Sequence, residues 1–205
     1  MEQLNLFNDK PNQKEEIVQV KNGEYIYLSH FFDGADSNKY LTHFLESIHW
    51  KQEEMKMYGK LVKLPRLIAW YGDNAKSYTS SETELIPEGW TKELVTIKEM
   101  LEKTCQTKFN SVLLNLYRNG NDSISWHTDD EKELGENPVI VSVSFGATRK
   151  FQLRHKETKE RIDIELQHGS VLIMQGALQH YWDHQIPKTK KQVGERISLT
   201  FRYIN

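Results

Sequence analysis

Cysteine is nearly missing from this 205-residue chain, with Cys105 standing alone. A single thiol excludes an internal disulfide framework and a cysteine-rich zinc site. It falls late in a helical pattern and reads as a small apolar residue. No apolar run approaches the roughly 18 residues of a membrane span, and the polar amino terminus has no signal-peptide character. Neither sign of charge dominates: 27 Lys and Arg stand against 29 Asp and Glu, for a net charge of −2. With no global attraction to polyanions, any nucleic-acid binding has to come from a local basic patch. Low-complexity linkers and internal repeats are missing too, so residues 16–205 read as one domain with one sizeable core, after a flexible polar tail over 1–15. These absences together predict a soluble, cytoplasmic protein of a reducing compartment.

What is present begins with alternation. Residues 17–28 alternate around Asn22-Gly23, a hairpin signal. Asp36 or Ser37 can cap a helix carrying Tyr40, Leu41, Phe44, Leu45 and Ile48 on one face. Met55 to Leu61 predicts a strand, a Gly-containing tip and a strand returning through Pro65 to Tyr71. Its apolar tip is unusual, because hairpin tips are normally wet. Pro87 and the acidic residues after it open a second amphipathic helix over about 89–105, with Leu94, Ile97 and Leu101 facing inward. From Phe109 onward the pattern becomes short strands, at 110–117, 124–128, 139–146, 149–155, 161–166, 170–175, 179–184 and 195–203. That spacing predicts an antiparallel sandwich or jelly roll, mainly β, with two helices supporting one outer face.

The chemistry concentrates at Trp126-His127-Thr128-Asp129-Asp130-Glu131, just past a turn at Asn119-Gly120-Asn121-Asp122. In an extended segment, residues two apart leave the same face, so His127 and Asp129 can grip one metal ion. A useful site needs a third ligand. His155 beside a charged turn and His168 beside a Gly turn read as surface residues, which leaves His180 and His184, and spacing does not choose between them. Two histidines and a carboxylate with open positions suit Fe(II) and oxygen, although ligand types alone would also permit zinc. Near the carboxyl end, Arg196, Ser198, Thr200 and Arg202 share one strand face while Ile197, Leu199 and Phe201 share the other. If the polar face turns inward, its two guanidinium groups need anions, and a dicarboxylate would supply them. Asn115 and Tyr117, also two apart, can add hydrogen bonds from across the barrel.

Taken in order, Asn-x-Tyr, His-x-Asp, a late His and Arg-x-Ser-x-Thr-Phe-Arg resemble the AlkB family of Fe(II)- and 2-oxoglutarate-dependent dioxygenases. The likeness runs from about Tyr58 to Tyr203. It is nearest to the branch of the animal nucleic-acid dealkylases, through "YGD", "DDE", "SVSFGATRKF", "RHK", "HGSVLIM" and "LTFR". The resemblance implies a double-stranded β-helix, the jelly roll already expected over about 109–205, with a β-hairpin nucleotide-recognition lid over about 50–85. It selects His184, twelve residues before Arg196, as the third metal ligand, and leaves His180 a supporting role. It assigns Arg196 to the distal carboxylate of 2-oxoglutarate, with Arg202, Thr200, Asn115 and Tyr117 completing that pocket. Ser198 stands where relatives usually carry Asn.

The implied activity is oxidative removal of methyl groups from nucleobases such as 1-methyladenine and 3-methylcytosine, as direct DNA repair. Fe(II), 2-oxoglutarate and molecular oxygen supply the oxidising power. A base must leave its helix to reach a metal inside a barrel. Met57-Tyr58-Gly59 aligns with the family's intercalating finger, and Arg66 and Tyr78 match substrate-contacting positions; Ser80 replaces a stacking aromatic. Asp130 and Glu131 would edge the base pocket, where a carboxylate favours cationic bases. Lys188, Lys190 and Lys191 are the most basic run and suit phosphate. The expected partner is alkylated DNA, single or double stranded, met by a monomer. RNA, or a catalytically silent nucleic-acid-binding jelly roll, is the alternative. Gln3-Leu4-Asn5-Leu6-Phe7 resembles the peptide by which bacterial repair proteins dock on the sliding clamp, with Gln3, Leu4, Leu6 and Phe7 as the contacts.

Overall fold

Asn22 turns the chain at φ 59° between β1 (Glu16–Val20) and β2 (Gly23–Leu28), so the first hairpin forms around the Asn-Gly pair. The computed structural model describes residues 16–57, 59–73, 78–80, 83–85 and 87–205. Gln3, Leu4, Leu6, Phe7 and Tyr58 lie outside the described residues, as does the side chain of Tyr78. Asp33, rather than Asp36 or Ser37, caps α1 (Gly34–Ser47): its carboxylate accepts the Asp36 N–H at 2.8 Å. Asp36 sits one step inside, in the first turn, where its charge suits the positive end of the helix.

Next come the paired strands β3 (Glu54–Met57) and β4 (Lys60–Lys63), with Gly59 at the tip in the left-handed region, φ 79°. After β5 (Leu67–Gly72), the short β6 (Tyr78–Ser80) and β7 (Thr83–Leu85) pair with each other. The second helix, α2 (Lys92–Cys105), begins where Thr91 Oγ1 accepts the Leu94 N–H at 3.3 Å. Burial pushes the Cys105 thiol up to about 12, which suits its reading as an inert apolar residue.

The strands that follow are β8 (Ser111–Tyr117), β9 (Ile124–His127), β10 (Ile140–Gly146), β11 (Arg149–His155), β12 (Arg161–Leu166) and β13 (Ser170–Gln175). A one-turn helix, α3 (Leu178–Tyr181), precedes β14 (Trp182–Ile186) and β15 (Arg196–Arg202). They form two antiparallel sheets, one of seven strands ordered β1-β2-β13-β10-β15-β8-β5 and one of four ordered β12-β11-β14-β9. This is the jelly roll the strand spacing predicts. No helix among the described residues is long and apolar enough to cross a membrane.

The central strands of the larger sheet, β13, β10, β15 and β8, are buried on both faces, and the faces differ. Outward, Val112, Leu114, Val143, Ile197, Leu199 and Phe201 pack against Phe44 of α1, Ile48 just past its end, and Leu94, Ile97 and Leu101 of α2. Each such side chain contributes roughly 1.5–3 kcal/mol by leaving water. Inward, β8 and β15 offer Asn115, Tyr117, Arg196, Ser198 and Thr200 to the smaller sheet. The helices thus cover the outer face, while inward Ile140, Leu172 and Met174 pack with Phe151, Leu153, Leu166 and Ile186 of the smaller sheet beside the polar residues of β8 and β15.

Two further expectations about the fold fail. Residues 179–184 are not one strand: Leu178–Tyr181 make α3, and the strand starts at Trp182. His155 is fully buried, not a surface residue; its Nδ1 accepts the N–H groups of Glu157 and Thr158 at 3.2 and 3.1 Å and so ties off a turn. His168 is half-buried and accepts the Gly146 N–H at 2.8 Å.

Candidate active site

Register decides what meets in the interior. β14 pairs with β9 so that His184 lies opposite His127. The two rings stand 4.1 Å apart between centroids, and Asp129 follows two residues after His127. His127, Asp129 and His184 each offer one ligand atom, all within 4.8 Å of one another, an arrangement that could hold a metal ion. His184 Nε2 is 3.7 Å from Asp129 Oδ2. His127 Nδ1 lies 2.8 Å from the carbonyl oxygen of Ser125. A carbonyl only accepts, so Nδ1 carries the proton and the Nε2 lone pair is left for a metal. His180, by contrast, is exposed on α3 and has no part in the cluster.

Charge states suit ligation. Burial, reinforced by His127, pushes His184 down to about 3, so its imidazole is neutral. Burial alone would raise the Asp129 carboxyl, but Arg202, His184 and His127 outweigh it and the net direction is down. Arg202 Nη2 donates to Asp129 Oδ1 at 2.7 Å, leaving Oδ2 turned toward His184. A neutral imidazole and an ionised carboxylate are the forms that bind metal.

β15 pairs with β8 so that Arg196 faces Tyr117 and Ser198 faces Asn115. Arg196 is 1% exposed, and burial pushes its guanidinium down to about 10. Its Nη2 donates to Ser144 Oγ at 2.9 Å and the group lies 5.2 Å from the Tyr117 ring centroid. Its Nε and Nη1 are buried without a hydrogen-bond partner. A buried fork with unmatched donors is costly unless an anion completes it. The cavity between Arg196 and the His127–Asp129–His184 cluster is lined by Asn115, Tyr117, Ser198 and Thr200. A dicarboxylate that reaches from guanidinium to metal fits this donor set.

A second, larger cavity shares Leu113 and Arg202 with the first as a common wall. Arg66, Trp70 and Glu131 line it. Arg66 Nε donates to Asn115 Oδ1 at 2.8 Å, and Trp70 Nε1 donates to Ser111 Oγ at 2.7 Å. Asp130 is not brought here: it is exposed, 3.7 Å from Lys156 Nζ. Gly59 is exposed at the β3–β4 tip, away from both cavities, and Lys188, Lys190 and Lys191 are exposed as well. Sequence reasoning missed Ser144 and Gln179. Ser144 was signalled by alternation along β10; Gln179, 1% exposed, carried no signal because its stretch was taken for a strand.

The model of the 2OG-Fe(II) oxygenase superfamily matches residues 24–202. The chain belongs to this superfamily. It is 39% identical over 183 residues to the human alpha-ketoglutarate-dependent dioxygenase alkB homolog 3, covering 85% of this chain and 64% of that protein. It is 38% identical over 158 residues to the Bos taurus DNA oxidative demethylase ALKBH2, covering 73% of this chain and 57% of that one. The chain thus spans less than two thirds of the length of these relatives, and the AlkB resemblance read from its motifs is borne out. Among solved structures, OsALKBH1 superposes with a TM-score of 0.66 at 18% identity, covering 90% of this chain and all of that one. A prolyl hydroxylase from Trichoplax adhaerens superposes at 0.60 with 13% identity, covering 90% and 84%. Both share the fold of this superfamily member. The superfamily's metal and cosubstrates are Fe(II), 2-oxoglutarate and oxygen, and the donor set above fits the first two.

Proposed function

We propose that the protein is a 2-oxoglutarate-dependent dioxygenase that removes N-linked alkyl groups from nucleobases in DNA. The observation that carries this reading is the buried Arg196, with two unmatched nitrogens, facing the His127–Asp129–His184 cluster across one cavity. A relative named as a DNA oxidative demethylase at 38% identity supports the substrate class.

In this reading His127, Asp129 and His184 hold Fe(II), and Arg196 with Ser198, Thr200, Asn115 and Tyr117 holds 2-oxoglutarate. When bound, iron with 2-oxoglutarate and oxygen would supply the oxidising equivalent for hydroxylating the alkyl carbon, and the hydroxylated base then splits into an aldehyde and the unalkylated base, still attached to its sugar. The chain's own residues bind and orient. Ser125 fixes the His127 tautomer through its carbonyl. Arg202 holds one Asp129 oxygen and so leaves the other for the metal. Arg66 holds the Asn115 amide from the second cavity. That cavity receives the flipped base, with Trp70 as an apolar wall and Glu131 as an acceptor that favours a cationic ring. Gly59 marks the hairpin tip, and Tyr58, its neighbour in sequence, is the residue that fills the gap in the stack. Tyr78 and Asp130 contact the strand around the lesion, and the exposed Lys188, Lys190 and Lys191 bind phosphate.

Mass spectrometry of oligonucleotides carrying 1-methyladenine or 3-methylcytosine tests the reading. Single strands, duplexes and RNA are incubated with Fe(II) and 2-oxoglutarate present or omitted. Loss of the methyl mass only in the complete mixture is expected. No loss on any substrate would reject the enzyme, and loss on RNA alone would move the substrate class.

A further inference from the structure

β9 ends at His127, so the next residues leave the strand ladder just where the metal site needs its carboxylate held. Asp129 is 4% exposed, and its backbone N–H would be a buried orphan without a partner. The partner is Gln179: the Asp129 N–H donates to Gln179 Oε1 at 3.1 Å. Thr128 Oγ1 donates to the Gln179 carbonyl oxygen, and Lys156 Nζ donates to that same oxygen at 3.2 Å. The Gln179 Nε2 end rests 3.6 Å from Met174 Sδ, so the amide is held at both ends.

A helix of four residues holds no position by itself. α3 is fixed from behind instead. A Cβ at Gly23 would lie 2.8 Å from Leu178 Cα, so β2 and α3 are in direct backbone contact. Trp182 Nε1, just after α3, donates to the Lys21 carbonyl oxygen at 2.8 Å.

We infer that Gln179 is a positioning residue for the metal centre, transferring the rigidity of the first hairpin to the Thr128–Asp129 peptide so that the Asp129 carboxylate stays aimed at His127 and His184. The inference rests on the metal reading above. It separates the acceptor atom Oε1, which matters, from the amide's bulk, which Met can replace.

The test is titration of the full chain with Co(II), read by its visible absorption, beside thermal melting of the metal-free protein. Gln179→Met removes the acceptor at similar volume and is expected to weaken Co(II) binding about 10–100-fold, the usual cost of losing a group that orients a metal ligand. Gln179→Glu keeps an acceptor oxygen and is expected to recover most of that affinity. Gln179→Met affinity within twofold of wild type overturns the inference; so does Gln179→Glu binding as weakly as Gln179→Met, since packing would then be the cause. Should Gln179→Met fail to fold, Thr128→Val carries the test, with a loss of about threefold or more supporting the inference and wild-type affinity overturning it. Wild-type protein that shows no Co(II) signal sensitive to His184→Ala would sink the metal reading and the inference together.

Discussion

Arg196 is a residue that stability alone would not place in the interior. Its charge is buried against Tyr117, and Ser144 Oγ accepts from it. Removing such a group in favour of an apolar one is often neutral or stabilising. Arg196→Met is therefore expected to leave the melting temperature of the unliganded protein unchanged or higher, while 2-oxoglutarate binding by calorimetry weakens at least about tenfold. A variant that loses both would show a scaffold role instead. The histidines make a complementary case. His184→Ala should abolish turnover, whereas His180→Ala, exposed on α3, should keep most of it.

His184 also ties stability to pH. Its folded value is pushed down to about 3 from an ordinary 6.5, so the unfolded chain binds the proton first as pH falls. Stability of the metal-free protein from this group is complete above about 6.5 and is lost as pH drops toward 3. Urea denaturation at pH 7 and pH 5 should show that loss, and His184→Asn should lessen it. An unchanged pH dependence in the variant would mean the histidine is not buried neutral.

At the scale of elements, the β3–β4 hairpin stands apart, since Leu61 is 72% exposed and Met55 and Val62 are exposed beside it. Leu61 has little buried surface to lose, so Leu61→Ser should change stability by less than about 0.5 kcal/mol. Tyr58→Ala should lower duplex repair more than single-strand repair, and equal losses would count against insertion into the stack. Elements were legible in proportion to their length and period. β15 was readable because Arg196 to Arg202 alternate without a break, and its polar face did turn inward. α3 was not, because four residues complete barely one helical turn and show no period. His155 was misread from its charged neighbours, although it continues the buried series Phe151 and Leu153 along β11. Asp130 was misread for the opposite reason: past the end of β9 no period remains to say which way a side chain points.

Across the whole molecule, the helix-covered outer face of the larger sheet lies apart from the site, which sits within a second apolar cluster on the inner face. Leu101 of α2 is fully buried on the outer face. Leu101→Ala should cost about 2–5 kcal/mol and lower the melting temperature by several degrees. Turnover per folded molecule, measured well below that temperature, should stay close to wild type; a matching fall in turnover would show the faces to be coupled. The resemblance of Gln3-Leu4-Asn5-Leu6-Phe7 to a clamp-docking peptide adds a separate prediction. Retention on immobilised bacterial sliding clamp should be lost on changing Leu6 and Phe7 to Ala, and unchanged retention would dismiss it.

The Arg202–Asp129 pair joins residues 73 positions apart, and α3 reaches back from Leu178 to Gly23. Such distant pairings form slowly and reward the chain only once both partners exist. During synthesis at about 5–20 residues per second, His127 and Asp129 emerge well before the arginine that holds their carboxylate. The nascent chain therefore carries both residues for several seconds without the arginine that fixes Asp129, and the geometry of the site arrives only with β15.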